Sequence, residues 1–440
     1  MKSQTKTVKP EILSGFRDFF ADDIYIREYV MNTFKKVFER YGYEPLETPA
    51  LEYTNIFSGE LGEEAEKLFY RFKDKGGRDV MLKYEVMTPM CRAVAENVNS
   101  IVFPYKRYQI QRVWRADKPQ KGRYREFTQC DADTVGSDSV ICDAEFIQMG
   151  IEALKELGFD KFRANISNRK FLNAVIKYSG AKDEDYIPIC LSIDKLPKIG
   201  AEAVAKELSE KRKISTDVIK KIMAIVVRKG TTQELLSYFR SELKNVPIGV
   251  EALEQLETIF SYLEKAKLQK EYYLFAPYIA RGLAYYTGPV WEFEILEGGV
   301  GSVAGCGRYD NTIGRFVGRR IPATGGSFGI ERIVEVIKDR KMIQVPKTTA
   351  KVLVTYFINE TFSDSLRIAS ELRKNGIKTM LYPEPAKLDK QLKYADKKGI
   401  PYVIIVGPDE IKNGVVKLKN MKTREQKNVK ISQLANEFIS

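Results

Sequence analysis

Two arginines and one phenylalanine give the first indication of chemistry in this sequence. Arg115 follows a strand-like segment at 107–114, and Arg123 and Phe127 flank the start of a second one at 126–135. An arginine can hold a phosphate through two parallel hydrogen bonds, and a phenylalanine ring offers adenine a flat apolar face. The pattern indicates a nucleotide platform on two neighbouring strands, although an isolated arginine on a strand more often belongs to a surface ion pair.

The absence of histidine limits the kinds of catalysis open to this chain. None of its 440 residues is a histidine. A Ser-His-Asp triad, a zinc hydrolase with histidine ligands and a histidine general base are therefore excluded. Any chemistry must use carboxylates, arginines, lysines, tyrosines or a group of the substrate.

Composition and length indicate a globular protein of several domains. With 44% hydrophobic and 30% charged residues the chain can bury sizeable cores, and its length predicts about three domains. Its apolar runs are far shorter than the ~20 residues of a membrane span, and the N-terminus lacks the apolar core of an export signal. The five cysteines are scattered without a CxxC pair, which argues against disulfides and structural zinc. We therefore expect a cytoplasmic protein with no membrane partner.

The hydrophobic pattern changes along the chain and predicts its domain organisation. Strand-like and helical segments mix in residues 1–167 and 266–340, whereas 168–265 are almost wholly helical in pattern. A short linker at 341–350 follows. In 351–440 strands alternate with helices of about a dozen residues, which predicts a small α/β sheet.

The positive charge is concentrated at the C-terminal end. Of the chain's net charge of +13, residues 341–440 contribute nine, from 19 lysines and arginines and 10 acidic residues. Such a basic module indicates a polyanionic partner, with nucleic acid ahead of a membrane because no amphipathic anchor accompanies it. A lysine-rich surface that binds nothing would have the same composition, so charge alone leaves both interpretations open.

Three segments, taken in order, resemble the signature motifs of class II aminoacyl-tRNA synthetases. They are YGYEPLETP at 41–49, the platform around Arg115, and GGSFGIER at 325–332. In that family the first motif builds the dimer interface, the second binds ATP and the tRNA acceptor end, and the third completes the ATP pocket. The resemblance implies an α+β core with an antiparallel sheet of six or seven strands flanked by helices, a helical insertion and a C-terminal α/β anticodon-binding domain. It also implies a homodimer that uses ATP with Mg²⁺ and has no tightly bound protein metal site.

Four further segments narrow the resemblance to the histidyl-tRNA synthetase family. They are LKYEVMTPMCR at 82–92, GRYREFTQCDADTVG at 122–136, RGLAYYTG at 281–288 and GCGRYD at 305–310. The implied activity joins L-histidine to ATP, giving histidyl-adenylate and pyrophosphate, and then transfers histidine to the 3′ end of tRNA(His). A non-catalytic paralogue, either the regulatory subunit of ATP phosphoribosyltransferase or a tRNA-sensing module, is the alternative. The first usually lacks the C-terminal domain, and the second is usually attached to a kinase.

The resemblance assigns roles to individual side chains. The implied histidine-binding residues are Glu85, Arg115, Gln129, Asp133, Arg281, Tyr285, Tyr286 and Tyr309. The implied ATP-binding residues are Arg115, Asp117, Arg123, Phe127 and Arg332. The implied contacts to the tRNA acceptor are Lys118 and Gln120. Arg281 and Arg115 are the implied catalytic pair, because fixed cations on both sides of the α-phosphate offset the charge that develops there.

Four positions depart from the family pattern. Ala284 stands where an aspartate is usual, Met87 where a threonine is usual and Cys306 where a glycine is usual, and Asp117 replaces the commoner glutamate. We expect Thr88 to substitute for the threonine and Cys306 to tighten or redirect a glycine loop. None of the four changes removes a primary ligand.

Overall fold

The computed structural model describes residues 8–58, 63–120, 122–280 and 285–438. These residues form two compact units. One contains residues 8–18 and 27–342, and the other contains 19–26 and 343–438. Among the described residues, no helix combines the length and the apolar character that crossing a membrane requires.

The strands of the first unit belong to a large sheet and a small one. They are β1 (Glu44–Pro45), β2 (Leu51–Tyr53), β3 (Arg71–Lys73), β4 (Asp79–Leu82), β5 (Tyr105–Trp114), β6 (Glu126–Val135), β7 (Phe162–Asn168), β8 (Tyr273–Phe275), β9 (Pro289–Ile295), β10 (Ser302–Arg308) and β11 (Ala323–Gly329). Within the described ranges, eight of them form one sheet in the order β1-β5-β6-β11-β10-β9-β7-β8, and β2-β4-β3 form the other.

The large sheet confirms the expected fold class but has more strands than predicted. The six strands from β5 to β7 in this order run antiparallel to their neighbours. The edge strands β1 and β8 pair in parallel, which makes the sheet mixed. Six or seven strands were expected, whereas the described residues form eight, because edge strands of two and three residues leave almost no sequence pattern.

The first unit also contains α-helices, several of which pack against the large sheet. Those of the first unit are α1 (Ala21–Arg40, its first residues grouped with the second unit), α2 (Thr54–Phe57), α3 (Glu63–Glu66), α4 (Met87–Glu96), α5 (Ile141–Glu156), α6 (Arg169–Ser179), α7 (Tyr186–Ile193), α8 (Leu196–Glu210), α9 (Thr216–Val226), α10 (Thr232–Glu242), α11 (Pro247–Lys265), α12 (Gly314–Val317) and α13 (Ile330–Asp339). Apolar residues recur at three- and four-residue steps in 22–41, which predicts an amphipathic helix, and α1 confirms it.

The core on the helical side forms around one aromatic residue of β11. The Phe328 ring lies 4.5 Å from that of Phe34 on α1, 6.0 Å from that of Phe146 on α5 and 5.5 Å from that of Phe293 on β9. All four side chains are fully buried. Since successive strand residues point to opposite faces, the neighbours of Phe328 on β11 face the other side of the sheet.

The helices α6 to α11 form the predicted helical segment. It begins at Asn168, whose side chain accepts a hydrogen bond from the backbone N–H of Lys170 and so caps α6. Tyr262 on α11 donates to Gln148 on α5 at 3.1 Å, which ties the segment to the sheet's helices. The structure groups the segment with the sheet in one compact unit, so the boundaries 168–265 stay a prediction.

The second unit is a small α/β domain, as the pattern predicted. Its helices and strands are β12 (Val352–Val354), α14 (Phe362–Lys374), β13 (Thr379–Leu381), α15 (Leu388–Lys398), β14 (Tyr402–Ile405), α16 (Pro408–Lys412), β15 (Val415–Asn420) and β16 (Gln426–Lys430). Its described strands form one five-stranded sheet in the order β13-β12-β14-β15-β16. The first three strands are parallel and the last two pairings are antiparallel.

The glycines of β11 leave room for side chains of the neighbouring strands. A Cβ at Gly326 would overlap the Cys306 sulfur and lie 2.7 Å from the Cys306 backbone. Cys306 was expected in a glycine loop, but it lies fully buried on β10, opposite Gly326 in the strand pairing. The Cys306 side chain, which the usual glycine would lack, is therefore accommodated within the sheet in the space beside Gly326.

We predict that Gly326→Ala lowers the free energy of unfolding by about 1–3 kcal/mol, because the added methyl overpacks the sheet. Adding Cys306→Gly to that variant should restore part of the loss, since the sulfur is removed while the crowding by the backbone of β10 remains. Urea unfolding measures both. Equal stability of the single and double variants would contradict this packing.

Candidate active site

The polar face of the large sheet forms the floor of a cavity of about 960 Å³. Most of the residues selected from the sequence line it. They are Glu85, Arg115, Asp117, Gln120, Arg123, Phe127, Gln129, Asp133, Tyr285, Tyr286, Tyr309 and Arg332. Segments far apart in the sequence thus meet in one space.

One selected residue, Lys118, is exposed and is not among the residues that line the cavity. Arg281, the expected catalytic cation, lies outside the described residues, as does Ala284. The described chain resumes at Tyr285, which lines the cavity.

One face of β6 supplies a row of polar groups. Gln129, Asp131 and Asp133 alternate along the strand, so all three point to the cavity, and all are buried. Across β11 they pair with Gly329, Ser327 and Gly325. A Cβ at Gly325 would overlap the Asp133 carboxylate, so only glycine leaves this group its place.

Asp133 is held by two buried partners. Its Oδ2 lies 2.5 Å from Arg107 Nη2 on β5, and its Oδ1 accepts a hydrogen bond from the Tyr309 hydroxyl. Burial raises the pKa of Asp133, and Arg107 and Tyr309 oppose that rise. Burial also acts to lower the pKa of Arg107, but Asp133 and its neighbours outweigh it, so that pKa is raised.

Asp131 was given no site role from the sequence, yet it lies between two residues that were. It is 4% exposed, and burial raises its pKa well above the usual aspartate value, with a further contribution from Asp133 and an opposing one from Arg107. The pattern of β6 contained the signal, because period-two alternation puts Asp131 on the same face as Gln129 and Asp133.

Glu85 is positioned by the N-terminus of a helix. Its two carboxylate oxygens accept hydrogen bonds from the backbone N–H groups of Met87 and Thr88, at 2.6 and 2.7 Å. These are donors that the first turn of α4 leaves unpaired. Met87 lines the cavity, whereas Thr88 is fully buried and is not one of the lining residues, so the expected substitution by Thr88 is wrong.

Three tyrosines form an aromatic wall. The ring centroids of Tyr285 and Tyr286 are 4.5 Å apart, and those of Tyr285 and Tyr309 are 6.1 Å apart. A Cβ at Gly307 would lie 2.7 Å from the Tyr286 ring, so glycine on β10 makes room for it. A flat ring with hydrogen-bonding edges fits such a wall.

Arg115 lies between two aromatic rings at the end of β5. Its guanidinium carbon is 4.3 Å from the Tyr84 ring centroid and 5.0 Å from that of Phe127. Its Nε donates to the Tyr84 carbonyl at 3.0 Å. These rings and this backbone oxygen orient the cation towards the cavity that it lines. The arrangement differs from the surface ion pair considered above.

The loop between β5 and β6 closes one side of the cavity. Arg123 donates to Asp117 Oδ1 at 2.7 Å, and Gln120 is exposed at the rim. Arg332, in the first turn of α13, lies next to this loop, since a Cβ at Gly122 would be 3.9 Å from its Cγ, and it donates to the Ser302 carbonyl. Cationic and polar groups thus surround the nucleotide platform.

A buried glutamate next to Arg332 joins distant segments, and its side-chain role was not predicted. Glu331 Oε2 accepts from Arg17 and from Arg27, each at 2.6 Å. The Arg17 guanidinium also lies 3.2 Å from the Tyr124 ring centroid in the β5–β6 loop. Arg17 therefore links that loop to the start of α13.

Other lining residues were also missed because their segments lack a motif. Arg163 on β7 and Glu292 and Glu294 on β9 line the cavity, as do Asp194 and Lys198 of the helical segment. Their sequence neighbourhoods are ordinary strand and helix patterns, and only the fold brings them to the site.

A nucleotide platform on the central hairpin of a mixed sheet, completed by a glycine-rich strand and the helix after it, defines a class II aminoacyl-tRNA synthetase. Comparison with known proteins gives the family. The histidyl-tRNA synthetase family model matches residues 15–333, and an anticodon-binding domain model matches 351–440. The chain therefore belongs to the histidyl-tRNA synthetase family.

Individual relatives agree over nearly the whole chain. The histidine–tRNA ligase of Cytophaga hutchinsonii is 37% identical, covering 98% of this chain and 100% of its own length. That of Helicobacter pylori is 35% identical, covering 96% of both chains. The solved histidyl-tRNA synthetase of Nostoc sp. PCC 7120 has a TM-score of 0.85 at 28% identity and covers 98% of this chain and 99% of that one.

We predict that Arg17→Gln lowers the free energy of unfolding by about 1.5–3 kcal/mol, because Glu331 loses a charge-assisted hydrogen bond. Arg78→Gln is the control, since the Arg78–Asp74 pair is exposed and should contribute far less. Urea unfolding of both variants measures the difference. Equal losses would show that Arg17 does not hold these segments together.

Proposed function

We propose that this chain is a histidine–tRNA ligase that forms histidyl-adenylate from L-histidine and ATP and passes histidine to tRNA(His). The observation that carries the proposal is the meeting, in one cavity, of the carboxylate and amide row of β6 with the arginine platform of β5. Family membership along nearly the full chain supports it.

Histidine needs acceptors for its ammonium group and a polar wall for its ring. Glu85 and Gln129 are the proposed ammonium ligands, and Asp133, Tyr285, Tyr286 and Tyr309 surround the ring. An apolar amino acid would remove water from these carboxylates and hydroxyls and offer them no hydrogen-bond donor in return, which is costly. The pocket therefore selects a substrate rich in hydrogen-bond donors.

ATP binds on the other half of the cavity in this proposal. Phe127 and Arg332 enclose adenine, while Arg115, Arg123 and Asp117 orient the phosphates and the loop. Mg²⁺ would enter with ATP, and the cavity-lining carboxylates of Glu292 and Glu294 would supply the oxygen ligands that it prefers beside phosphates. When bound, the ion would neutralise phosphate charge. In the described residues, cysteine and acidic side chains form no cluster of three or more that could hold a metal.

Adenylate formation then depends on fixed cations. Arg115 faces the α-phosphate from one side, and Arg281 is the proposed bridge from the substrate carboxylate on the other. That carboxylate is already ionised and attacks the α-phosphate without a general base. Catalysis therefore relies mainly on stabilising the negative charge that develops on the phosphate oxygens. For transfer to tRNA a phosphate oxygen of the adenylate is the proposed proton acceptor, since the enzyme has no histidine.

The proposed nucleic-acid contacts lie at two places. Lys118 and Gln120, in the loop at the cavity rim, read the extra 5′ guanosine of tRNA(His). The basic unit at 351–440 binds the anticodon, in line with its family match. The domain division predicted from the sequence, a homodimer and a cytoplasmic location complete the proposal.

The regulatory-subunit alternative has less support. A Bacillus halodurans C protein described as an ATP phosphoribosyltransferase regulatory subunit/histidyl-tRNA synthetase has a TM-score of 0.74, but at 21% identity it shows the fold alone. It covers 88% of this chain and 97% of its own length. The anticodon-binding match in this chain also favours the ligase.

We predict that the purified chain catalyses histidine-dependent exchange of pyrophosphate into ATP and that Arg115→Lys reduces kcat/KM at least ~100-fold, because a lysine cannot make paired hydrogen bonds. Arg112→Lys is the matched control, since Arg112 is an exposed neighbour on β5 paired with Glu126. No exchange by the unmodified chain would refute the proposed activity, and equal rates in both variants would refute the role of Arg115.

We predict that Lys118→Ala with Gln120→Ala slows aminoacylation about tenfold, by weakening recognition of one base, and leaves pyrophosphate exchange unchanged. The assay compares tRNA(His) transcripts with and without the extra 5′ guanosine, and Lys75→Ala is an exposed control. If the double variant still prefers the transcript with the guanosine as strongly as before, these residues do not read it.

A further inference from the structure

Among the described residues, the polar row of β6 has two buried acceptor atoms with neither a hydrogen-bond nor an ion-pair partner. They are Gln129 Oε1 and Asp131 Oδ1. Both side chains are more than nine-tenths buried and line the cavity. Buried acceptors are almost always paired in proteins, so two of them side by side on one strand face indicate a ligand that brings donors.

The balance of charge around this row is negative. Glu85, Asp131 and Asp133 interact electrostatically with one another, and in the part of the chain that the structure describes the cation that acts on both aspartates is the buried Arg107. Arg107 forms its ion pair with Asp133. Among these described groups, one guanidinium faces three carboxylates, and positively charged groups of a ligand would offset the excess negative charge, since isolated buried charges are costly.

We propose that Asp131 is a specificity-determining residue that binds the substrate histidine with its imidazole ring protonated. The proposal rests on the proposed function. Histidine in that form carries an ammonium and an imidazolium group, and every nitrogen in them donates hydrogen bonds. Asp131 lies on β6 midway between the ammonium ligand Gln129 and the ring ligand Asp133. Its carboxylate thus supplies the second negative charge for the two cations.

The groups that face Asp131 come from every element around it. Arg107 and Gln109 lie on β5, Asp133 and Gln129 on β6, Ser327 on β11, and Glu85 just before α4. The hydroxyl of Ser327 and the guanidinium of Arg107 favour the ionised form of Asp131, while burial, Asp133 and Glu85 disfavour it. A cationic ligand would reverse this balance and hold Asp131 ionised.

A purely structural role would require a partner for Asp131 Oδ1, which has none. Asp143 provides the comparison, because it is also buried with a raised pKa but has partners at both oxygens. Asp143 Oδ2 accepts from Arg308 at 2.5 Å, and its Oδ1 accepts from Thr324 at 2.7 Å. Removing the charge of Asp143 should destabilise the fold, whereas removing that of Asp131 should not.

The experiment compares Asp131→Asn with Asp143→Asn in pyrophosphate exchange and thermal unfolding. Two substrates are used, histidine and 1,2,4-triazol-3-ylalanine, whose ring has the same shape but stays neutral at the assay pH. For Asp131→Asn we expect kcat/KM for histidine to fall at least ~10-fold, mainly through KM, as for loss of a charge-assisted hydrogen bond. The kcat/KM for the analogue should fall much less, so the ratio of kcat/KM for histidine to that for the analogue should decrease. The melting temperature of Asp131→Asn should equal that of the unmodified chain or exceed it.

Three results would overturn the inference. Asp131→Asn could leave kcat/KM for histidine unchanged, or it could lower kcat/KM for both substrates by the same factor. It could also lower the melting temperature as much as Asp143→Asn does. Normal exchange by the unmodified chain in any of these cases would leave the proposed function standing. If the unmodified chain showed no exchange with histidine, the proposed function itself would fail, and this inference with it.

Discussion

The buried ion pair between Asp133 and Arg107 is the constraint on which the site depends. A carboxylate in the middle of a sheet would normally be neutral, and Arg107, itself fully buried, opposes that tendency. Breaking such a pair leaves an uncompensated buried charge, which costs about 3–5 kcal/mol. The pair therefore fixes the geometry of β5 and β6 and sets the electrostatic character of the cavity above them.

One face of the large sheet forms part of the hydrophobic core, and the other face forms the site. On one face the rings around Phe328 form an apolar core with α1 and α5. On the other face, glycines make room for polar side chains. Gly325 leaves space for Asp133, and Gly307 leaves space for Tyr286, where a methyl group would overlap them. The packed face holds the strands in register, and that register aligns the polar row of β6. Binding groups on strands are held more rigidly than groups on loops.

Much of the fold and part of the cavity could be predicted from the sequence. The hairpin of β5 and β6, the glycine strand before α13 and the C-terminal α/β unit all have strong local patterns, and most of the residues selected from the motifs line the cavity. The edge strands β1 and β8 could not be predicted, because two or three residues are too few to show the alternation of apolar and polar side chains that indicates a strand. Arg107 and Glu331 were missed because their importance lies in partners distant along the chain. Asp131 was missed although alternation placed it beside Asp133.

The central claim is that a carboxylate-rich strand face recognises histidine through its positive charges. The most direct test is ¹⁵N nuclear magnetic resonance of ring-labelled histidine bound to the chain at a pH above about 7.5, where free histidine has a neutral ring because its pKa is about 6.5. The account predicts that both ring nitrogens of the bound amino acid carry protons and have imidazolium shifts. A bound ring with one unprotonated nitrogen would contradict it.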